Sequence, residues 1–412
     1  MRSTRKQRST PSRKKSCLQC ANSKIRCGLE RPCCARCIAA NRQCRYATPA
    51  EDRSSPIASR YSVPPGQGIA ATTFSTAFTD STDDTLVDTT TSSHSTPLPL
   101  PTQPLTAADR PGVYLDFSNL DLVPLADADQ IRDRWLRPFL AVRGQVPKAF
   151  QPYTLLYIRC VLRTYPKMMV EKNGVPPIIH PMQMSDGNRS VALANCYSLV
   201  RLWHHSAVGS EHVVAETIER EMERLANYDK NANGLDIFAA FQAYLIYSIM
   251  AIFFPIQGSN MINDATMVTL HEMAFRTAQA GLASQAELAR SQPTWESWII
   301  VSAKRRAIFA FYLLSNVYNA DNCAPNFLAE ELREVHVPDA KRLWEARSRS
   351  EWEREYTQYL SKWEDGPMLI SELWLSPDTG SPGRRERIDR WVQSADEFGM
   401  MLFAVCVHLH GY

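Results

Sequence analysis

A chain of 412 residues with 44% apolar, 22% charged and 9% aromatic side chains can bury a sizeable core, which excludes collagen-like, wholly disordered and disulfide-scaffold classes. At ~150 residues per domain it holds two or three units. The net charge of +3 hides an asymmetry: residues 1–50 carry thirteen Lys/Arg against one acid, Glu30, and the remainder carries 33 basic against 42 acidic residues. A basic head on an acidic body is the distribution of a polyanion-binding module with a separate partner domain.

Residues 1–15 are a basic tail holding Arg2, Arg5, Lys6, Arg8, Arg13, Lys14 and Lys15. Next to a metal-binding segment, such a tail reads as a nuclear import signal and a phosphate attractor, so the expected location is the nucleus. No secretory signal is read here, because the N-terminus is polar and basic where an apolar core is needed. Seven of the eleven cysteines lie between Cys17 and Cys44, while Cys160, Cys196, Cys323 and Cys406 are isolated. Packed cysteines in a reducing compartment favour metal over disulfide.

The spacing is Cys17-x2-Cys20-x6-Cys27, then Cys34-x2-Cys37-x6-Cys44, one unit occurring twice at an offset of 17 residues. Zinc takes four thiolates in a tetrahedron, and a C-x2-C turn offers two sulfurs to one ion. Two zinc ions need eight coordination positions and six sulfurs fill six. Two thiolates must then bridge, and the duplication nominates the equivalent positions Cys17 and Cys34.

The segment SCLQCANSKIRCGLERPCCARCIAANRQC resembles the fungal six-cysteine zinc binuclear cluster domain of transcription regulators. The resemblance covers residues 17–44 and includes Pro32 before the fourth ligand and Lys24 between the second and third. It implies two short helices, roughly Leu18–Lys24 and Ala35–Asn41, related by a pseudo-twofold around two zinc ions. Cys33 departs from the pattern; taking it as the ligand would break the repeat, so Cys34 is assigned and Cys33 is an extra thiol. ANSKIRC also departs, keeping only Lys24 and Arg26 where the family has a basic run. With two zinc ions and six thiolates the head still carries roughly +10, which suits double-stranded DNA. Small motifs of this kind place a helix end in the major groove, where lysine can donate to guanine acceptors. Lys24 is the expected base reader, because the matching lysine of the family reads CGG-type triplets. Arg26, Lys15, Arg13 and Arg42 are the expected phosphate contacts.

From 51 to 110 the composition shifts, with Ser, Thr and Pro at 28 of 60 positions. Too little apolar surface is available there to offset chain entropy, which predicts a disordered linker. It shows no sustained heptad, so dimerisation, where it occurs, is expected from the helical region beyond. After Pro111 the periodicity becomes helical. Val213, Val214, Ile218, Met222 and Leu225 form one apolar stripe, and Ile388, Trp391, Val392, Ala395, Phe398 and Met401 another. The apolar run Ile237–Phe254 carries Gln242, Tyr244, Tyr247 and Ser248 and reads as the core helix of a bundle rather than a membrane span. The expected organisation is a basic tail (1–15), a zinc binuclear cluster domain (16–47), a disordered Ser/Thr/Pro-rich linker (48–111) and a mostly all-α regulatory domain (112–412).

Enzyme signatures are absent from the sequence. His271-Glu272 begins an H-E-x-x-H pattern, but Phe275 stands where the second zinc ligand belongs, and no phosphate-binding glycine loop is present. His204 and His205 are adjacent, His180 lies among prolines, and Trp203, Trp295, Trp298, Trp344, Trp352 and Trp374 read as core. The stretches LRTYPKMM (162–169), PPIIHPMQM (176–184) and HVPDAKRLWEARSRSEW (336–352) resemble the regulatory region of fungal zinc-cluster factors, especially those accompanying secondary-metabolite gene clusters. The resemblances together imply a non-enzymatic, sequence-specific transcription factor at RNA polymerase II promoters, partnered by DNA and the transcription machinery. A zinc-dependent nucleic-acid adaptor without sequence preference is the alternative.

Overall fold

The structure, a computed structural model, describes residues 16–23, 25–28, 34–40, 44, 115–125, 147–172, 174–185, 189–227, 233–255 and 262–411. The basic tail and the linker expected at 48–111 lie outside them. The chain divides into two units, Met1–Pro111 and Gly112–Tyr412. The first contributes two short helices, α1 (Leu18–Asn22) and α2 (Ala35–Ala39).

The second unit is helical. Its elements are α3 (Pro152–Leu162), α4 (Thr164–Met168), α5 (Val191–His204), α6 (Glu211–Ala226), α7 (Gly234–Phe253), α8 (Asp264–Gln279), α9 (Gln285–Leu288), α10 (Trp295–Asp321), α11 (Lys341–Glu345), α12 (Arg349–Lys362), α13 (Pro382–Val392) and α14 (Glu397–His410). Among the described residues there is no β-strand, only the isolated bridges Leu122–Ser284 and His336–Leu369.

Helix α7 is apolar all round, so it must be buried on every side. Phe238–Met250 are indeed enclosed, with α5, α6, α8 and α10 packed about them. It is the one described helix long and apolar enough to cross a membrane, and it serves as a bundle core. Helix α6 has the predicted stripe in Val214, Ile218, Met222 and Leu225, whereas Val213 faces solvent. The stripe read from Ile388 to Met401 belongs to two helices rather than one. The break falls before Asp396, whose carboxylate accepts from the Gly399 amide at 2.9 Å and caps α14.

Helix α10 runs through the middle of the unit with Trp295 and Trp298 fully buried and Trp352 of α12 against Trp298. It also buries three consecutive basic side chains, Lys304, Arg305 and Arg306. Arg305 pairs with Glu287 at 3.1 Å and with Asp339 at 3.0 Å. Burial raises the Asp339 carboxyl, but Arg305 and the Ser302 hydroxyl outweigh it and hold the group below its usual range. Arg306 reaches Asp396 at 2.6 Å and lies 3.9 Å from the centroid of Trp344. The Lys304 amine donates to the Gly281 carbonyl at 3.3 Å, next to the C-terminus of α8, and burial without a carboxylate partner among the described residues lowers it to about 7. Gly281 has φ +103°, and a Cβ there would meet the Val123 carbonyl oxygen at 2.7 Å.

Candidate metal centre and nucleic-acid interface

The two cysteine units fold alike. Cys17 and Cys34 both precede a short helix in extended backbone, with φ/ψ of −64°/154° and −78°/145°. The Cys17 sulfur accepts from the Cys20 amide at 3.4 Å, so it caps the helix it introduces. The Cys17 amide donates to Cys27 Sγ at 3.5 Å, and seventeen residues later the Cys34 amide donates to Cys44 Sγ at 3.3 Å. The same contact thus recurs over the same ten-residue interval in each half, as the repeated spacing requires.

Sulfurs from both halves then converge. Cys17 Sγ lies 3.8 Å from Cys34 Sγ and 3.7 Å from Cys37 Sγ, while Cys20 Sγ lies 3.7 Å from Cys34 Sγ. A zinc–sulfur bond of ~2.3 Å in a tetrahedron sets neighbouring sulfurs ~3.8 Å apart, which these separations match. Two four-sulfur groups result: Cys17, Cys20, Cys27 and Cys34, and then Cys17, Cys34, Cys37 and Cys44, each within 4.8 Å throughout. They share one edge, Cys17–Cys34. All but Cys44 are buried, and Cys44 is half-buried.

Enclosure affects how these thiols titrate. Burial pushes the Cys20 thiol up to about 12 and raises Cys37 and Cys44 as well. The backbone amide of Cys37, against the effect of burial, brings Cys34 down to about 6. Without metal these sulfurs stay largely thiols; as zinc ligands they must be thiolates, which a bound cation stabilises, and two edge-sharing tetrahedra suit two zinc ions.

The model of the fungal Zn(2)-Cys(6) binuclear cluster domain matches residues 15–54. The head is a fungal zinc binuclear cluster domain. It binds two zinc ions, and it marks the chain as a DNA-binding transcription factor of the zinc-cluster kind. No curated protein and no solved structure matches the chain.

Within the zinc cluster domain the helices are shorter than the resemblance implies. Helix α1 ends at Asn22 with Ser23 as its cap, and α2 ends at Ala39. The chain must leave each helix early to bring the third cysteine of the unit back to the cluster. Of the expected DNA contacts only Arg26 is described, and it is exposed outside any helix, just before Cys27. Lys24, Lys15, Arg13 and Arg42 lie outside the described residues, as does Cys33. One side chain escaped the sequence reading: Arg36, an exposed cation within the second C-x2-C turn on α2. Its signal was available, because the matching position of the first unit, Gln19, is neutral and only the comparison of repeats sets Arg36 apart.

The histidines considered in the helical unit do not gather into a metal site. His180 is buried, its Nδ1 accepting from the Met182 amide at 3.2 Å and its ring edge-on to Trp344. His271 bonds to the Met267 carbonyl and packs on Phe311. His204 and His205 are exposed and meet edge to face.

Proposed function

We infer that this chain is a sequence-specific regulator acting in the nucleus at RNA polymerase II promoters and not as an enzyme. The observation that carries this reading is the pair of cysteine groups sharing Cys17 and Cys34. On this reading Cys17, Cys20, Cys27, Cys34, Cys37 and Cys44 would hold the two zinc ions, Cys17 and Cys34 being the sulfurs common to both groups. The metal fixes the two helix ends, so the side chains between ligands have a preset reach into the major groove. Lys24 donates to the guanine acceptors of a CGG-like triplet, and Arg26, Lys15, Arg13 and Arg42 hold phosphates. The helical domain, residues 112–412, supplies regulation, contact with the transcription machinery and any dimerisation. The resemblance of its 162–169, 176–184 and 336–352 stretches supports secondary-metabolite gene clusters as the targets.

Binding-site selection with the full chain tests the reading. One enriched triplet is expected, and uniform, salt-sensitive binding would instead favour the adaptor without sequence preference. On the selected site Lys24→Ala should cost roughly 1–3 kcal/mol and flatten the preference among triplets while both zinc ions stay bound. Unchanged affinity would move base readout to Arg26.

A further inference from the structure

Three helix ends of the second unit meet around one aromatic ring. Phe254 caps the C-terminus of α7. The Arg163 guanidinium lies 5.2 Å from its centroid and the Lys167 ammonium 5.6 Å, so two cations address a single ring. Trp203, near the end of α5, stands 5.1 Å from the same ring, followed in sequence by exposed His204 and His205.

Arg163 and Lys167 are both exposed, and among the described residues neither has a carboxylate partner. Some other arginines of the unit are paired with carboxylates, exposed Arg333 with Glu330 and half-buried Arg390 with Asp365. A cation over a ring is held in place without being neutralised, because the ring offers a quadrupole and no charge. The donors of one guanidinium and one ammonium therefore remain for acceptors from outside, set against half-buried aromatic surface. Composition does not explain this concentration of charge, since residues 112–412 hold 30 Lys/Arg against 35 Asp/Glu.

The geometry points to a docking surface for an acidic, aromatic-bearing peptide segment of a partner protein. Its carboxylates meet Arg163 and Lys167, and its apolar side chain covers Phe254 and Trp203. Charge complementarity selects the partner, and the aromatic pair supplies the contact area that distinguishes it from a plain counter-ion. A duplex fits less well, because the unit's acidic excess repels a long polyanion more than a short peptide with few charges.

The test uses the full chain with its basic head saturated by duplex DNA, so that a labelled probe reads surfaces other than the head. The probe is a peptide alternating Asp-Asp with Phe-Leu, compared with one alternating Ser-Ser with Phe-Leu. Fluorescence anisotropy should show binding of the acidic peptide only. The double variant Arg163→Gln, Lys167→Gln should weaken it about tenfold with unchanged duplex affinity and helical circular dichroism. Phe254→Leu, which keeps apolar bulk, should weaken it by a smaller factor. Equal binding by wild type and double variant, or of both peptides, would overturn the proposal. Loss of duplex affinity in the double variant, with peptide binding intact, would reassign the surface to nucleic acid.

Discussion

The two units reach a buried interior by opposite means. In the zinc cluster domain the buried apolar residues described are five cysteines, while Leu18, Ile25 and Ile38 remain 38%, 39% and 59% exposed. In the helical unit dozens of aliphatic and aromatic side chains form one continuous core. A segment that hides sulfur and little hydrocarbon gains its folding free energy from metal, whereas a 300-residue helical unit gains it from burial. The difference teaches that each unit has its own point of failure.

Removing zinc should therefore produce the largest effect and confine it to the head. Structural zinc contributes apparent binding free energies of ~10–16 kcal/mol near pH 7, far more than a small cysteine knot gains otherwise. With a strong chelator the full chain should lose DNA binding completely, while the helical thermal transition stays where it was. A helical transition that falls with chelation would break the comparison. Metal analysis sharpens it further: Cys34→Ser should lose zinc and Cys33→Ser should retain both ions.

The converse experiment strikes the helical unit alone. Arg305→Met leaves Glu287 and Asp339 buried as carboxylates without their shared cation. Breaking a buried pair in this way costs ~3–5 kcal/mol, which denaturant unfolding of the helical transition would read. Zinc stoichiometry should stay at two. A loss below about 1 kcal/mol would mean that the network is as weak as a surface pair.

This contrast also explains what the sequence reveals. The zinc site is written locally: six cysteines within 28 residues, in a spacing that repeats, carry their own geometry. Helix α7 was legible because its apolar run needs no knowledge of its neighbours. The Lys304-Arg305-Arg306 triplet was not, since periodicity assigns charged residues to solvent. Their partners lie far along the chain, Asp339 34 residues and Asp396 90 residues away, so their burial depends on tertiary structure alone. The stripe from Ile388 to Met401 misled for a related reason. Apolar spacing survives a helix break when both helices line one core, and the boundary is marked by the Gln393 C-cap of α13 and the Asp396 cap of α14.

Acid separates the units by cause. Burial, with Arg347 and Arg306 nearby, lowers His180 to about 3, so the folded unit keeps it neutral where an unfolded chain protonates it near pH 6.5. Between those values the unfolded state holds more protons, and stability falls as pH falls. The contribution is complete above pH 6.5 and is lost at up to ~1.4 kcal/mol per pH unit below it. His271 and His336, also lowered by burial, steepen the same trend. His180→Asn retains an acceptor for the Met182 amide and should flatten the slope between pH 6 and 4 in urea unfolding. The zinc cluster domain also fails in acid, through protonation of thiolates, so excess zinc should protect DNA binding and leave the helical slope unaltered.

The smallest expected effect isolates one hydrogen bond common to both units. Ser348 Oγ accepts from the Glu351 amide at 3.3 Å and begins α12, as Cys17 Sγ accepts from the Cys20 amide at 3.4 Å and begins α1. Ser348→Ala should cost ~1 kcal/mol and lower the helical melting temperature by about 2 °C, and Ser348→Asp should restore it. In the head the replacement can be made while keeping the cap: Cys17→Ser leaves a hydroxyl able to accept the same bond. It removes a sulfur shared by both tetrahedra, however, so bound zinc and DNA affinity should disappear together. Should Cys17→Ser keep two zinc ions, Cys17 does not bridge, and the shared edge must be assigned to other sulfurs. The two caps are alike in geometry and differ in consequence because only one of the accepting atoms also holds metal.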